Sequence, residues 1–224
     1  MIAHDRQLDD ATDEPLHIVA VSVGNTTTKI GLFRDAEPVE VSRIAAHDTP
    51  SCVDAVADFA ERIWEEPRRA IVIASVNDPA ADPLVDAIRE QYPTGTFRLG
   101  EDLDIPIRMD VEPNYTPGHD RLLNALAAFH LRSQACVVVD AGTAITVDFV
   151  DGAGTFVGGA IAPGLRLALD AMHRGTAALP AVELAPAEAA PFGKSTREAM
   201  LSGVTYGARG MVRMLTERYA EAYG

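Results

Sequence analysis

The chain has 224 residues, enough for one large domain or two small ones, each able to bury a core. Apolar residues make up 47% and charged residues 23%, ordinary globular usage, while the formal charge is −14. Such an acidic surface repels phosphate backbones, and the scattered Lys and Arg, with Arg68-Arg69 as a pair, form no basic patch that would recruit nucleic acid.

Along the chain, Met1–Glu14 is polar and acidic, without the basic start and apolar centre of a signal peptide. Residues 1–16 therefore read as a tail. The apolar runs are all far shorter than the ~20 residues a membrane-spanning helix needs. Cys52 and Cys136, the two cysteines, have neither metal-ligand spacing nor a disulfide framework, which fits small apolar residues in a reducing compartment. The expected location is the cytoplasm, away from membranes.

His17–Val21, Lys29–Phe33 and Val39–Ala46 are short strand-like runs, the first two separated by Gly24-Asn25-Thr26-Thr27-Thr28. Val53–Trp64 has helical spacing. Ala70–Val76 is a buried strand bounded by Pro67 and Pro79, Pro83–Tyr92 is helical, and Thr96–Leu99 is a short strand. A helical pattern with Leu122, Leu123, Leu126 and Phe129 on one face opens near Asp120. Strand-like runs return at Cys136–Val139, Ala144–Val150 and Thr155–Ala162, the last two joined by a glycine turn at 151–154. Helices follow at Leu165–His173 and Thr196–Tyr223, and Trp64 and Met172 are expected in the core or an interface.

Residues 18–28 can be laid on residues 136–146, which puts Gly24 on Gly142 and Thr28 on Thr146. A repeat at half the chain length points to duplicated domains, with a ligand cleft expected where two such lobes face each other. Each lobe has an apolar strand that runs into a glycine turn. Glycine lets the backbone approach a ligand closely, turn N–H groups can cradle an anion, and the hydroxyls of Thr26, Thr27, Thr28, Thr143 and Thr146 add donors. One Gly-Asn-Thr turn alone would be an ordinary hairpin; the same turn at two equivalent places suggests a clamp on a polyphosphate. Asp120 follows Pro117-Gly118 at the start of a helix, a place for an N-cap carboxylate as well as for a catalytic one. Arg121 is either a surface helix arginine or a planar fork for a substrate carboxylate.

Ser22-Val23-Gly24-Asn25-Thr26 and Asp140-Ala141-Gly142-Thr143 resemble the two phosphate motifs of the acetate kinase, sugar kinase, Hsp70 and actin superfamily. The particular resemblance is to the type III pantothenate kinases. Gly118-His119-Asp120-Arg121 is similar to their Gly-x-Asp-Arg motif, and Gly158–Gly164, Thr176–Pro180 and Gly193–Thr196 with Gly203 follow in family order. The resemblance implies two ribonuclease H-like (actin-like ATPase) lobes in an α/β fold, each a mixed sheet with flanking helices, over 17–115 and 116–224. It implies phosphorylation of pantothenate by ATP, the first step of coenzyme A biosynthesis, with Mg²⁺ accompanying ATP and a monovalent cation (K⁺ or NH₄⁺) on Asp140. Asp120 would be the general base. Ser22, Val23, Gly24, Asn25, Thr26, Thr27, Thr28, Lys29 and Thr143 would bind ATP. Tyr115, Gly118, His119, Asp120 and Arg121 would line the pantothenate site, with His119 at the variable position, and Thr196 would reach it from the second subunit of a homodimer. A sugar or acetate kinase lacks support from the Gly-x-Asp-Arg and Gly-Lys-Ser-Thr segments.

Two positions depart from the family pattern. Ser22 stands where the family has an Asp that helps place magnesium, so turnover is expected to fall by at least ~10²-fold unless another group compensates. The second lobe is also expected to lack its last strand and helix. A catalytically weakened homologue that binds nucleotide or pantothenate as a sensor is the alternative expectation.

Overall fold

A computed structural model describes residues 14–186 and 192–223, which divide into two compact units at Ile105/Pro106. The expected tail falls outside the described residues up to residue 13. Glu14 already meets unit 1 through its carbonyl, which accepts from Arg68 Nη1 at 2.9 Å. No helix among the described residues is long and apolar enough to cross a membrane.

In unit 1 an antiparallel meander of β1 (His17–Val23), β2 (Thr27–Arg34) and β3 (Glu37–Ala45) is followed by α1 (Thr49–Glu61), β4 (Arg69–Ser75), α2 (Asp78–Gln91) and β5 (Thr96–Arg98). The strand order is β3-β2-β1-β4-β5, with β4 parallel to both β1 and β5. Period-two alternation sets the two faces of this sheet. Val19, Val21 and Val23 pair with Leu32, Ile30 and Thr28, and all are buried. With Ile71 and Ile73 they meet Val56, Phe59, Leu84, Val85 and Ile88 of α1 and α2. Each large side chain buried there contributes roughly 1.5–3 kcal/mol relative to exposure. Ser22 and Lys29, paired across the hairpin, lie on the opposite face and are exposed.

Both helices start earlier than periodicity suggests, because capping decides their ends. The Asp48 carboxylate accepts from Ser51 N at 3.2 Å, with a proline in the first turn of α1. In α2 the Asn77 carbonyl accepts from Ala80 N and Ala81 N, so the helix opens ahead of Pro83 rather than at it. Pro79 lies in the first turn, where a missing donor costs no intrahelical bond, whereas Pro83 lies inside the helix and removes one.

Unit 2 contains β6 (Arg108–Met109), α3 (His119–Arg132), β7 (Cys136–Ala141), β8 (Ala144–Val150), β9 (Thr155–Pro163), α4 (Leu165–Gly175) and α5 (Thr196–Tyr223). Its strand order is β6-β9-β8-β7; β7, β8 and β9 form an antiparallel meander like that of unit 1, and β6 lies parallel to β9. A two-residue strand has no periodicity to read, which is why β6 escapes the sequence pattern. Alternation again sorts the faces. Phe149 stacks on Tyr219 and Tyr223 of α5, whereas Asp148 points to the other face and meets α3. Each unit is thus a mixed sheet with flanking helices, the duplicated ribonuclease H-like arrangement.

The duplication is one residue out from the expected alignment. Val23 pairs with Thr28, and Ala141 pairs with Ile145, so the first turn holds one residue more than the second. Ser22 and Asp140 remain equivalent, but Thr28 corresponds to Ile145 rather than to Thr146. Both Thr28 and Ile145 are buried.

Candidate active site

In unit 1 the 24–27 turn is fixed from several directions. Gly24 N donates to Thr27 O at 3.1 Å, and the Thr26 carbonyl accepts from Ala46 N at 3.0 Å. The Val23 carbonyl accepts from Val76 N at 3.1 Å, and the Gly24 carbonyl from Asn77 Nδ2 at 3.4 Å. With several of its carbonyls engaged inward, the turn keeps its shape without a ligand, and its exposed residues are Asn25 and Thr26. Thr27 is half-buried at the start of β2. Val23 and Thr28 are 1% exposed, so any contact of theirs with a ligand is left to their backbone. The expectation that the Thr28 hydroxyl adds a donor at the turn is therefore corrected: it faces the core, on the side where Cys52 is buried. Burial pushes the Cys52 thiol up, and the neighbouring Thr28 hydroxyl only partly opposes the shift.

In unit 2 the counterpart of Ser22 is Asp140, a half-buried carboxylate that accepts from Asn124 Nδ2 at 3.2 Å. Thr143 is exposed in the turn, and Gly142 N donates to Ala144 O at 2.9 Å. Gly164 N donates to Thr143 O at 2.9 Å, and a Cβ on Gly164 would overlap the carbonyl oxygens of Gly142 and Thr143. The glycine that ends the Gly158–Gly164 motif thus makes room for the turn.

Asp120 lies in the first turn of α3, whose N-cap is Gly118 rather than the aspartate. Its carboxylate is exposed and accepts from Arg121 N at 2.8 Å, at the helix end where negative charge is favoured. Asn124, one helical turn on, projects from the same side of α3 and reaches Asp140, so the candidate base and the strand-end carboxylate belong to one face of unit 2. His119 is half-buried, and its Nδ1 is buried without a hydrogen-bond partner.

Arg121 behaves differently from either sequence expectation. It is 5% exposed, so it is neither a surface arginine nor a fork held open for a substrate. Nη2 reaches Asp148 Oδ1 at 2.5 Å and Nε reaches both carboxylate oxygens at 3.1 and 3.2 Å. Nη1 donates to the Tyr115 hydroxyl at 2.7 Å, and the guanidinium carbon lies 5.4 Å from the Phe156 ring centroid. Burial works against the charge on Arg121, but Asp148 and Tyr115 outweigh it and hold the guanidinium above its usual value. Asp148, 1% exposed, was missed from sequence. Its signal is a carboxylate inside an apolar strand, between Val147 and Phe149, where a charge must be paired.

Thr196 is the exposed first residue of α5. Ahead of it, Glu198 N donates to Ser195 Oγ at 3.2 Å and the Glu198 carboxylate accepts from Lys194 N at 2.7 Å, a reciprocal arrangement like a capping box. Thr196 lines an open apolar groove of about 420 Å³ between α4 and α5, with Met172, Leu179, Met200 and Val204.

Comparison with known proteins decides the family. The sequence model of the type III pantothenate kinases matches residues 18–218. The chain belongs to the type III pantothenate kinase family. Relatives named type III pantothenate kinase include one from Frankia alni, 34% identical over 211 residues that span 92% of this chain and 83% of that protein. Another, from Thermus thermophilus, is 33% identical over 213 residues, with the same coverage of both chains. A solved structure described as a Baf-family transcriptional activator from Campylobacter jejuni superposes with a TM-score of 0.54 at 18% identity, covering 88% of this chain and 78% of that one. At that identity the likeness concerns fold alone.

As a member of a kinase family, the chain is a phosphotransferase. Hard cations take oxygen ligands, and Mg²⁺ at phosphoryl-transfer sites binds through one or two carboxylates plus the phosphates. Asp140, expected to hold the monovalent cation, supplies one carboxylate of this oxygen type. Among the described residues there is no group of three or more His, Cys, Asp or Glu that could hold a metal by itself. The fit therefore depends on oxygens from a bound phosphate.

Proposed function

We propose that this chain transfers the γ-phosphoryl group of ATP to the primary hydroxyl of pantothenate, giving ADP and 4′-phosphopantothenate at the start of coenzyme A biosynthesis. The observation that carries the reading is the exposed Asp120 carboxylate at the head of α3, inside a family match that spans 18–218. Asp120 would accept the hydroxyl proton as the oxygen attacks phosphorus and the bond to the β-phosphate bridging oxygen breaks. Residues Ser22 to Lys29, together with Thr143, would hold the nucleotide through turn amides and side chains. Tyr115, Gly118, His119 and Asp120 would receive pantothenate, with the buried Arg121 backing Tyr115 rather than meeting the substrate itself. Asp140 would hold a monovalent cation such as K⁺ or NH₄⁺, and Mg²⁺ bound with ATP supplies positive charge that offsets the transferring phosphoryl group. Thr196 beside an apolar groove supports a homodimer in which each copy completes the other's substrate site, and a biosynthetic kinase of this kind would work in the cytoplasm.

One observation favours a second reading, a weakened homologue that binds these ligands as a sensor. Ser22 is exposed and uncharged at the position where unit 2 carries Asp140. A coupled assay with ATP, Mg²⁺, K⁺ and pantothenate separates the two. Turnover by the parent supports the kinase, and turnover only in Ser22→Asp supports the sensor. Absence of turnover and of both nucleotide and pantothenate binding in both proteins would refute both readings.

A further inference from the structure

We infer that Asp148 is a positioning residue of the pantothenate site: acting through Arg121, it sets the hydrogen-bonding direction of Tyr115 and thereby the affinity for the acid substrate. The inference rests on the proposed function and deepens it.

The argument starts from donor geometry. A guanidinium has five N–H donors in a rigid plane. Asp148 occupies the Nε and Nη2 side of Arg121, which leaves Nη1 to meet the Tyr115 hydroxyl at 2.7 Å. Arginine can only donate, so the phenolic oxygen accepts this bond and its own proton turns elsewhere. The Tyr115 side is open: the residue is 44% exposed, while Arg121 and Asp148 are 5% and 1% exposed. The buried pair thus ends in one solvent-facing O–H donor, in the same short segment as Asp120. A hydroxyl that accepts from a cation is a stronger donor to an acceptor oxygen of a ligand.

The surroundings are shaped for this arrangement. A Cβ on Gly159, which pairs with Asp148 across β8 and β9, would overlap the Asp148 carboxylate. Gly159 of the Gly158–Gly164 motif therefore makes room for a charged side chain beside the strand. Phe156, fully buried, lies beside the guanidinium. Stability alone is a poor account of the trio, since a buried ion pair is often no better than apolar side chains of the same volume.

The test compares Tyr115→Phe, Asp148→Asn and the double variant, with pantothenate affinity by calorimetry, steady-state KM and kcat, and circular dichroism to confirm folding. Each single change is expected to weaken pantothenate about tenfold, the size of one charge-assisted hydrogen bond, with a smaller effect on kcat. Because Asp148 acts only through the Tyr115 donor, which Tyr115→Phe already removes, the double variant should also lose about tenfold. A double loss near a hundredfold, the product of independent effects, overturns the inference, as does an Asp148→Asn effect confined to kcat. Should Asp148→Asn fail to fold, Arg121→Lys, which keeps the charge but cannot hold both partners, takes its place under the same criterion. A parent that neither turns over nor binds pantothenate removes the functional reading and this inference together; a working parent whose variants multiply removes the inference alone.

Discussion

Removing one partner of the Arg121–Asp148 pair should be far more damaging than removing both. The two side chains are 6% and 2% exposed, so Arg121→Met leaves a carboxylate in the interior of unit 2 with no cation to meet it. An uncompensated buried charge of this kind typically costs about 3–5 kcal/mol. At ~2–4 °C per kcal/mol for a chain of this length, even the lower figure predicts a fall in Tm of roughly 6–12 °C. Arg121→Met with Asp148→Leu removes both charges and fills the space with apolar atoms, and should recover most of the loss. Calorimetric melting of the three proteins at neutral pH is the measurement, and the two units need to be resolved as separate transitions if their midpoints differ. A single variant that melts within ~2 °C of the parent, well inside the range set by the pair energy, would show that water reaches Asp148 and that the site is wetter than its burial implies.

Asp120→Asn keeps the shape of the α3 N-terminus but cannot take a proton, and turnover should fall by roughly 10²–10⁴-fold while the melting curve barely moves. Ser22→Asp should raise turnover at least ~10-fold over the parent in the coupled assay, since a carboxylate there adds charge that a hydroxyl lacks; equal rates would show that the Ser22 position does not touch the metal–nucleotide. Cys52 is 1% exposed, with its thiol pushed up by burial, and the half-buried Cys136 is pushed up for the same reason, so a thiol reagent at neutral pH should spare Cys52 until urea is added. Backbone hydrogen bonds from Thr155 and Ala153 hold the Asp151 carboxyl below its usual value; a depressed carboxylate stabilises the turn above its unfolded pKa and loses that contribution as pH falls through the folded one. The protection of the Thr155 amide relative to its intrinsic exchange should therefore fall as pH drops through the lowered carboxyl pKa, a dependence that Asp151→Asn should abolish.

Strand runs and the long helices were legible because burial imposes its period on the sequence: Val19, Val21 and Val23 alternate with exposed or half-buried neighbours, and α5 occupies Thr196–Tyr223 as its pattern predicts. Boundaries set by single hydrogen bonds were not legible, as Asp48 and Asn77 illustrate at α1 and α2. The turn offset was hidden for a related reason. Two threonines, Thr28 and Thr146, align by eye, but cross-strand pairing counts backbone positions and not residue types. Within the candidate site, Asp120 and Asp140 were readable from motifs. The Arg121–Asp148 contact joins residues of different elements, and nothing local in either segment names the other.

The two glycine turns follow equivalent strands but differ in length by one residue and in charge. In unit 2 the strand-end residue is Asp140, engaged by Asn124 from the helix that carries Asp120. In unit 1 the equivalent Ser22 faces Lys29 across the hairpin, on the exposed side of the sheet. An aspartate at position 22 would sit opposite a lysine, and opposite charges on directly facing residues attract by about 0.2–1 kcal/mol, so the fold places no electrostatic obstacle in its way. With serine there, Lys29 has no anion directly across from it in the β1–β2 pairing. If, as proposed, Lys29 meets the phosphates and residue 22 helps place the metal, nucleotide affinity and turnover should move in opposite directions when Ser22 becomes Asp. If both rise together, Lys29 does not contact the phosphates, and the pairing seen across β1 and β2 has no part in nucleotide binding.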